Sequence, residues 1–447
     1  MQSLTSPGRR APNYLLAASV AVLVAMPSMV QASPPVTMEE LDVLALQENQ
    51  NLQAFDARAL ELRQQAQFEA QRRPEPMLEV MLDVSAPWTP HFTTGQMIRL
   101  MQPIPRGGAR QAQAAPTRAA VGVVTSRKRD QSLSILRDTR LDIIELARID
   151  ARIGLLQEER ELIEDALGIA DARTPLGGGE YDDFFQLELA RETVLDRVAE
   201  LKSVRASRQA RLSARLGGDS PVSSADTIAA EVLTSWSVEL PDREELVDLV
   251  RESAPGLATL SAQQRELGQR IELVDQRQRP WPTLIVGYTN RPAMWEMDGP
   301  RDQMIQVGVS MALPIFGGQY DAEASRWQAA AQAVEAELVQ ESRDAVGELL
   351  GLIAQWDSDR RRLKRHHQEL VPLADDLAGR VLIGMELGER SAAEYLLAVR
   401  QEIELQGRII ELQAAQLRRL MEIQHLTGGA VGQGEPWAYP EIEGERR

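Results

Sequence analysis

Four methionines, Met77, Met81, Met97 and Met101, stand in two short apolar stretches, "MLEVMLDV" and "TGQMIRLMQP". Thioethers are soft donors that suit cations such as Cu(I); Met also fills irregular apolar space. Five carboxylates, Asp182, Asp183, Glu386, Glu389 and Glu394, gather at two turn-rich stretches further along. A ring of such groups at a constriction would select cations electrostatically. Acids at helix starts also complement the positive end of the helix dipole. His366 and His367 are adjacent in "RRRLKRHHQEL". Neighbouring helical residues do not face one partner, so these two read as surface side chains. The absence of Cys excludes thiol catalysis, disulfides and thiolate metal sites. With four His in the chain, a multi-His site is not expected. There is no Gly-rich phosphate loop with its Lys, no paired-His motif and no nucleophile elbow. No enzymatic activity, cofactor or resident metal is expected.

Long helices and short strands must position these groups. Of the 447 residues, 26% are charged and only 4% aromatic, which suits a long-helix protein better than a globular enzyme. The net charge of -17 argues against nucleic acid as a partner. Residues 1–32 read as a secretory signal peptide. Arg9 and Arg10 precede the apolar run "YLLAASVAVLVAMPSMV", and Val30-Gln31-Ala32 offers a small-residue cleavage site. The apolar run is short and Pro27 interrupts it, which disfavours a membrane anchor.

The rest reads as one order of elements, twice. Apolar residues at helical spacing predict a helix over 38–73, ended by Pro74 and Pro76. "MLEVMLDVSAPW" alternates strictly, with Leu78, Val80, Leu82 and Val84 on one face and Met77, Glu79, Met81 and Asp83 on the other. A second strand-like run, "QMIRLMQPIPRGG", completes a β-hairpin over 77–106. A helical hairpin follows over 108–216, turning at "TPLGGGEYDD". After a linker or equatorial segment at 217–241 the order repeats over 242–427, with a β-hairpin at 283–314 and a helical hairpin at 318–427. Pro372 predicts a kink. Pro282 stands opposite Pro76, Pro314 opposite Pro103, and Leu387-Gly388 opposite Leu176-Gly177. The first repeat spans 33–216, and residues 428–447 read as a flexible tail.

Each strand carries an apolar face that must be covered, and no second sheet is available to cover it. Lipid would do so, but in lipid every backbone donor must be paired, so the sheet has to close on itself. Four strands are too few to close a barrel. Three chains would supply twelve, an even number within the outer-membrane range. Met77, Met81, Met97 and Met101 would then face the lumen. Trp88, Trp281, Trp295 and Tyr288 lie near strand ends and suit an interfacial girdle.

The duplicated pattern resembles the trimeric outer-membrane efflux family typified by TolC. The residues that carry the resemblance are "LPIFGGQYDAEASRWQAA" (313–330) and its earlier copy "QPIPRGGARQAQAA" (102–115), where a strand passes through Pro and Gly-Gly into a long helix. "RVLIGMELGERSAAEYLLAVRQE" (380–402) resembles the family's second periplasmic hairpin turn, and "PLADDL" (372–377) its Pro-bearing bend. The resemblance implies a mainly α chain with a small β part, forming a homotrimeric 12-stranded outer-membrane β-barrel continued by a periplasmic α-helical barrel. It implies a channel serving an inner-membrane pump through a periplasmic adaptor, in the outer membrane of a Gram-negative bacterium and reaching into the periplasm. The strand-to-helix corners would be Pro103, Gly107, Gly108, Pro314, Gly317 and Gly318. Leu176, Gly177, Leu387 and Gly388 would be adaptor-contacting tips, and the five carboxylates a periplasmic constriction. The form "QPIPRGGAR" looks most like the branch serving heavy-metal cation efflux. The departures are a longer, Gly-rich first tip, "LGGGEYDDF", and the lack of the Cys that lipidated members carry. The competing readings are a periplasmic adaptor and a coiled-coil scaffold without channel activity. The duplicated strand–hairpin order opposes the first, and the signal peptide with two apolar hairpins the second.

Overall fold

The structure, a computed structural model, describes residues 37–84, 94–173, 181–218, 239–291, 302–315, 317–432 and 439–440. The signal peptide, Trp88, Trp295, Leu176, Gly177 and most of the 217–241 linker lie outside the described residues.

The segment expected as one helix over 38–73 is two, α1 (Met38–Gln47) and α2 (Gln50–Gln71). Asn49 makes the break. Its side-chain oxygen accepts from the N–H groups of Asn51 and Leu52, which begins a new helix in place of continuing the old one. Thr37 and Glu40 close a reciprocal capping box at the start of α1. The second repeat divides likewise, into α5 (Arg243–Ser253) and α6 (Leu257–Gln278). Here Gly256 sits at φ 88, a conformation that side-chain-bearing residues resist.

The strands β1 (Met77–Val84), β2 (Thr94–Pro103), β3 (Pro282–Arg291) and β4 (Asp302–Met311) form one antiparallel sheet in the order β1-β2-β3-β4. The two hairpins, about 200 residues apart in sequence, are joined by the β2–β3 ladder, in which Gln96 pairs with Asn290 and Pro103 with Thr283. β1 and β4 remain edges within one chain.

From the sheet run α3 (Ala109–Arg173, 65 residues) and α7 (Gly318–Arg365). At 1.5 Å per residue α3 is roughly 100 Å long. Each is answered by a returning helix, α4 (Tyr181–Arg215) and α9 (Ala392–Leu426). The descending partner of α9 is not regular throughout. α7 passes through a π turn at His366–Leu370 into α8 (Val371–Glu386). Pro372 explains this: it has no N–H to offer Gln368 and its ring crowds that carbonyl. The turn before it widens, and Val371 donates five residues back to His366.

Two cores hold the helices. One joins α1, α3, α5, α7 and α9 through Leu41, Leu146, Val250, Leu349, Trp356 and Leu420. The other lies nearer the hairpin turns and joins α3, α4, α8 and α9 through Ile163, Leu187, Val194, Met385 and Tyr395. Arg140, fully buried in the first region, pairs with the equally buried Asp42 and donates to Gln424. The ring of Tyr439 lies 4.4 Å from its guanidinium carbon. Of the residues expected in a flexible tail, Val431 joins the core and Tyr439 stacks on Arg140. Cation–π attraction gains strength where water is excluded, as it is here.

Candidate functional site

The strand register sorts the sheet into two unlike faces. Met77 pairs with Met101, Glu79 with Arg99 and Met81 with Met97. The same face continues across β3 and β4 as Ile285, Gly287 and Thr289, then Met304, Gln306 and Gly308. Glu79 and Arg99 form an ion pair at 3.5 Å on this face. Gly287 leaves room for the Arg99 stem, which a Cβ there would meet at 3.4 Å. All four methionines singled out by their spacing thus share one face. Met97, Gly287 and Thr289 on it are buried.

The opposite face is apolar and bare. Leu78, Val80, Leu82, Ile98, Leu100, Val286 and Tyr288 are all exposed. On β4, Ile305, Val307 and Val309 are 76%, 73% and 70% exposed. Leu313 and Ile315 continue that apolar surface past the end of β4. A face of this size and composition is not one that water covers in a lone soluble chain. Trp281 is half-buried just ahead of β3.

At the corners, Pro103 ends β2, and Ile104 donates one more bond to Pro282 before the chain leaves the sheet. Gly108 takes φ 84 ahead of α3. Pro314 follows β4, and Gly317 and Gly318 open α8's long predecessor, α7.

At the second helical turn, Gly388 adopts φ 78 and donates to Met385, while Glu389 donates to Gly384. This doubly bonded ending closes a helix and forces the chain to reverse. Leu387 projects from it, 69% exposed. Two of the five carboxylates expected at a constriction have local partners. Glu394 completes the capping box of Ser391 and accepts from Arg390 at 2.8 Å. Its pKa is lowered, first by the Ser391 backbone N–H and then by Arg390. Asp183 accepts from the Ala392 N–H at 3.1 Å, which ties the start of α4 to the start of α9. Asp182, Glu386 and Glu389 are exposed. His366 is half-buried and its pKa is lowered by burial, then by Arg362 and Arg365. Among the described residues no three His, Cys, Asp or Glu gather as metal ligands.

Sequence reasoning missed the Asp42–Arg140–Tyr439 stack and a cluster of Arg73, Arg106 and Arg110 beside the first corner. The available signal for the latter was the density of Arg in "QRRPEP" and "PRGGAR".

Neither a family model nor a curated protein matches the chain. Its fold is nonetheless shared with solved outer-membrane channels. It matches the outer-membrane channel OprN at a TM-score of 0.69 and 15% identity, over 88% of this chain and 90% of that one. CusC, in which conformational changes accompany folding and transmembrane channel formation, matches at a TM-score of 0.69 and 15% identity, over 88% and 92%. The CmeC outer-membrane channel of Campylobacter jejuni matches at a TM-score of 0.66 and 12% identity, over 93% and 94%. The chain therefore has the fold of TolC-like outer-membrane channels, mostly helical with a small sheet. The proteins it resembles are channels and not enzymes.

Proposed function

We propose that three copies of this chain close one channel through the outer membrane of a Gram-negative bacterium. Its helices extend the channel into the periplasm, where it passively conducts what an inner-membrane pump delivers through a periplasmic adaptor. The observation that carries this reading is the sheet: one bare apolar face and two unpaired edges on a single chain. No described helix is long and apolar enough to cross a membrane, so the sheet is the part that meets lipid. Backbone groups cannot be left unpaired there. The antiparallel order makes β4 of one copy and β1 of the next run in opposite directions, so closure by rotation keeps the whole ring antiparallel. The face with Glu79, Arg99 and Gln306 would line the lumen. The fold shared with outer-membrane channels supports the same assignment. Leu387 and Gly388 are the described tip residues that would meet the adaptor. Membrane fractionation and bilayer recording test this. The protein should sit in the outer membrane as a trimer that dissociates on heating, and should give discrete conductance steps. A soluble periplasmic monomer rejects the channel.

The facing pairs Met77–Met101 and Met81–Met97 favour soft cations as cargo within this reading. A deletion strain should lose copper or silver tolerance. Unchanged metal tolerance with new sensitivity to organic toxins rejects the cation assignment and keeps the channel.

A further inference from the structure

We propose that the first strand-to-helix corner binds the phosphate of an anionic phospholipid headgroup, an inference that rests on the membrane reading above. A cleft of about 520 Å³ lies between the end of α2 and the corner that leads into α3. Arg73, Arg106 and Arg110 line it, with Gln71 and Gln111 beside them. Among the described residues, none of the three guanidiniums forms an ion pair or a side-chain hydrogen bond. Arg110 is half-buried. α3 begins at Ala109 and has no acidic residue in its first turn, so the positive end of its dipole adds to the same field. Guanidinium forks bind phosphate oxygens in pairs and are the preferred side chains for that task.

The second corner shows that this charge is not a general requirement of the turn. There Arg277 pairs with Glu323 at 3.4 Å and Arg279 with Asp275 at 2.8 Å, and the first turn of α7 carries Asp321. Of the two corners, the first leaves its three arginines without an ion pair among the described residues, in a chain whose net charge is -17. The position specifies a lipid. Ile104 is exposed two residues before Arg106, so an apolar contact and a phosphate contact lie side by side where the bare sheet face ends. That is the order of acyl chain and headgroup at a membrane boundary.

The test uses the full-length protein, purified in dodecyl maltoside and titrated with phosphatidylglycerol in native mass spectrometry. Wild type should retain up to one lipid per chain. The variant Arg73→Gln/Arg106→Gln/Arg110→Gln should retain it at least tenfold more weakly. The control Arg277→Gln/Arg279→Gln should match wild type. Arg106→Gln alone, at an exposed position, should show a smaller loss and keeps the test open should the triple variant fail to fold. Equal retention by wild type and the triple variant overturns the site. Complete displacement by millimolar inorganic phosphate overturns the lipid as its ligand and assigns a free-phosphate site. Absence of bound lipid on a trimer that reaches the outer membrane, as when a neighbouring copy covers the corner, overturns the site and leaves the channel standing. Arginine-dependent lipid retention by a chain that fractionates as soluble has the reverse meaning.

Discussion

His425 stands near the C-terminal end of α9, half-buried, with Arg137 close by. Burial, and after it the charge of Arg137, pushes its pKa down from 6.5 to about 4. The sign of the consequence follows from proton counting. In the unfolded chain this imidazole takes its proton near pH 6.5, and in the folded chain only near pH 4. Between those values the unfolded state holds more protons, so acidification favours it. His425 therefore contributes stability above pH 6.5 that is lost as the pH falls toward 4. Glu159, Glu402 and Glu422 act in the opposite sense. Burial raises each of them, so each adds stability as the pH falls. The overall pH profile mixes the two signs, and only a comparison isolates the histidine. Thermal unfolding of wild type and His425→Gln at pH 7.5 and pH 5 makes it. Wild type should lose more Tm on acidification than the variant does. Equal losses in the two proteins would remove His425 from the account.

At the scale of the element, the sheet is the decisive part, because its two faces make opposite demands. Val307 sits mid-strand on the bare apolar face and its neighbour Gln306 on the other. A Lys facing lipid at the midplane of a β-barrel costs about 2–4 kcal/mol. Val307→Lys should therefore sharply lower the yield of heat-dissociable trimer in outer membranes, whereas Gln306→Lys, facing water, should leave it near the wild-type level. Equal yields for the two variants would contradict the lipid assignment. These faces were legible in the sequence because a strand has period two: the alternation in "MLEVMLDV" and "VGVSMAL" needs no tertiary knowledge. The long helices were legible for a similar reason, since no Pro stands between Pro116 and Pro175 and only Gly122, Gly154 and Gly168 interrupt the pattern. What escaped depended on side chains acting on distant or local backbone. Asn49 ends one helix and starts another by a bond that helical periodicity does not register. Asp42 and Arg140 are 98 residues apart, and Tyr439 lies far beyond both. Asp183 accepts from the first N–H of α9, 209 residues away, a contact that local spacing does not register. Arg73 and Arg106 are brought together only once the whole first hairpin has closed.

At the scale of the molecule, the open question posed by one chain is what completes its two bare strand edges. A sheet edge is a row of unsatisfied donors and acceptors that invites pairing, and in lipid the pairing is compulsory. The absence of Cys makes the point testable without background crosslinking. Val80 lies near the middle of β1, and Ile305, Val307 and Val309 span the middle of β4, all on the apolar face. Directly opposed residues on antiparallel strands lie about 4.5–5.5 Å apart between Cα atoms, within the ~4.4–6.8 Å that a disulfide spans. A one-residue slip would turn one of the two side chains to the other face. Val80→Cys combined in turn with Ile305→Cys, Val307→Cys and Val309→Cys should therefore give strong crosslinking for one pairing and weak or no crosslinking for the others. Each single variant should give none. The identity of the limiting product carries the most information. Three chains joined head to tail in a ring leave no free edge, so the ladder must stop at three. An open assembly always retains one β1 and one β4 edge and would continue past three. Crosslinks that stop at two would mean a ring closed by two copies and would reject the trimer. A ladder ending at three, seen in intact cells before detergent is added, would establish closure of the barrel independently of any conductance measurement.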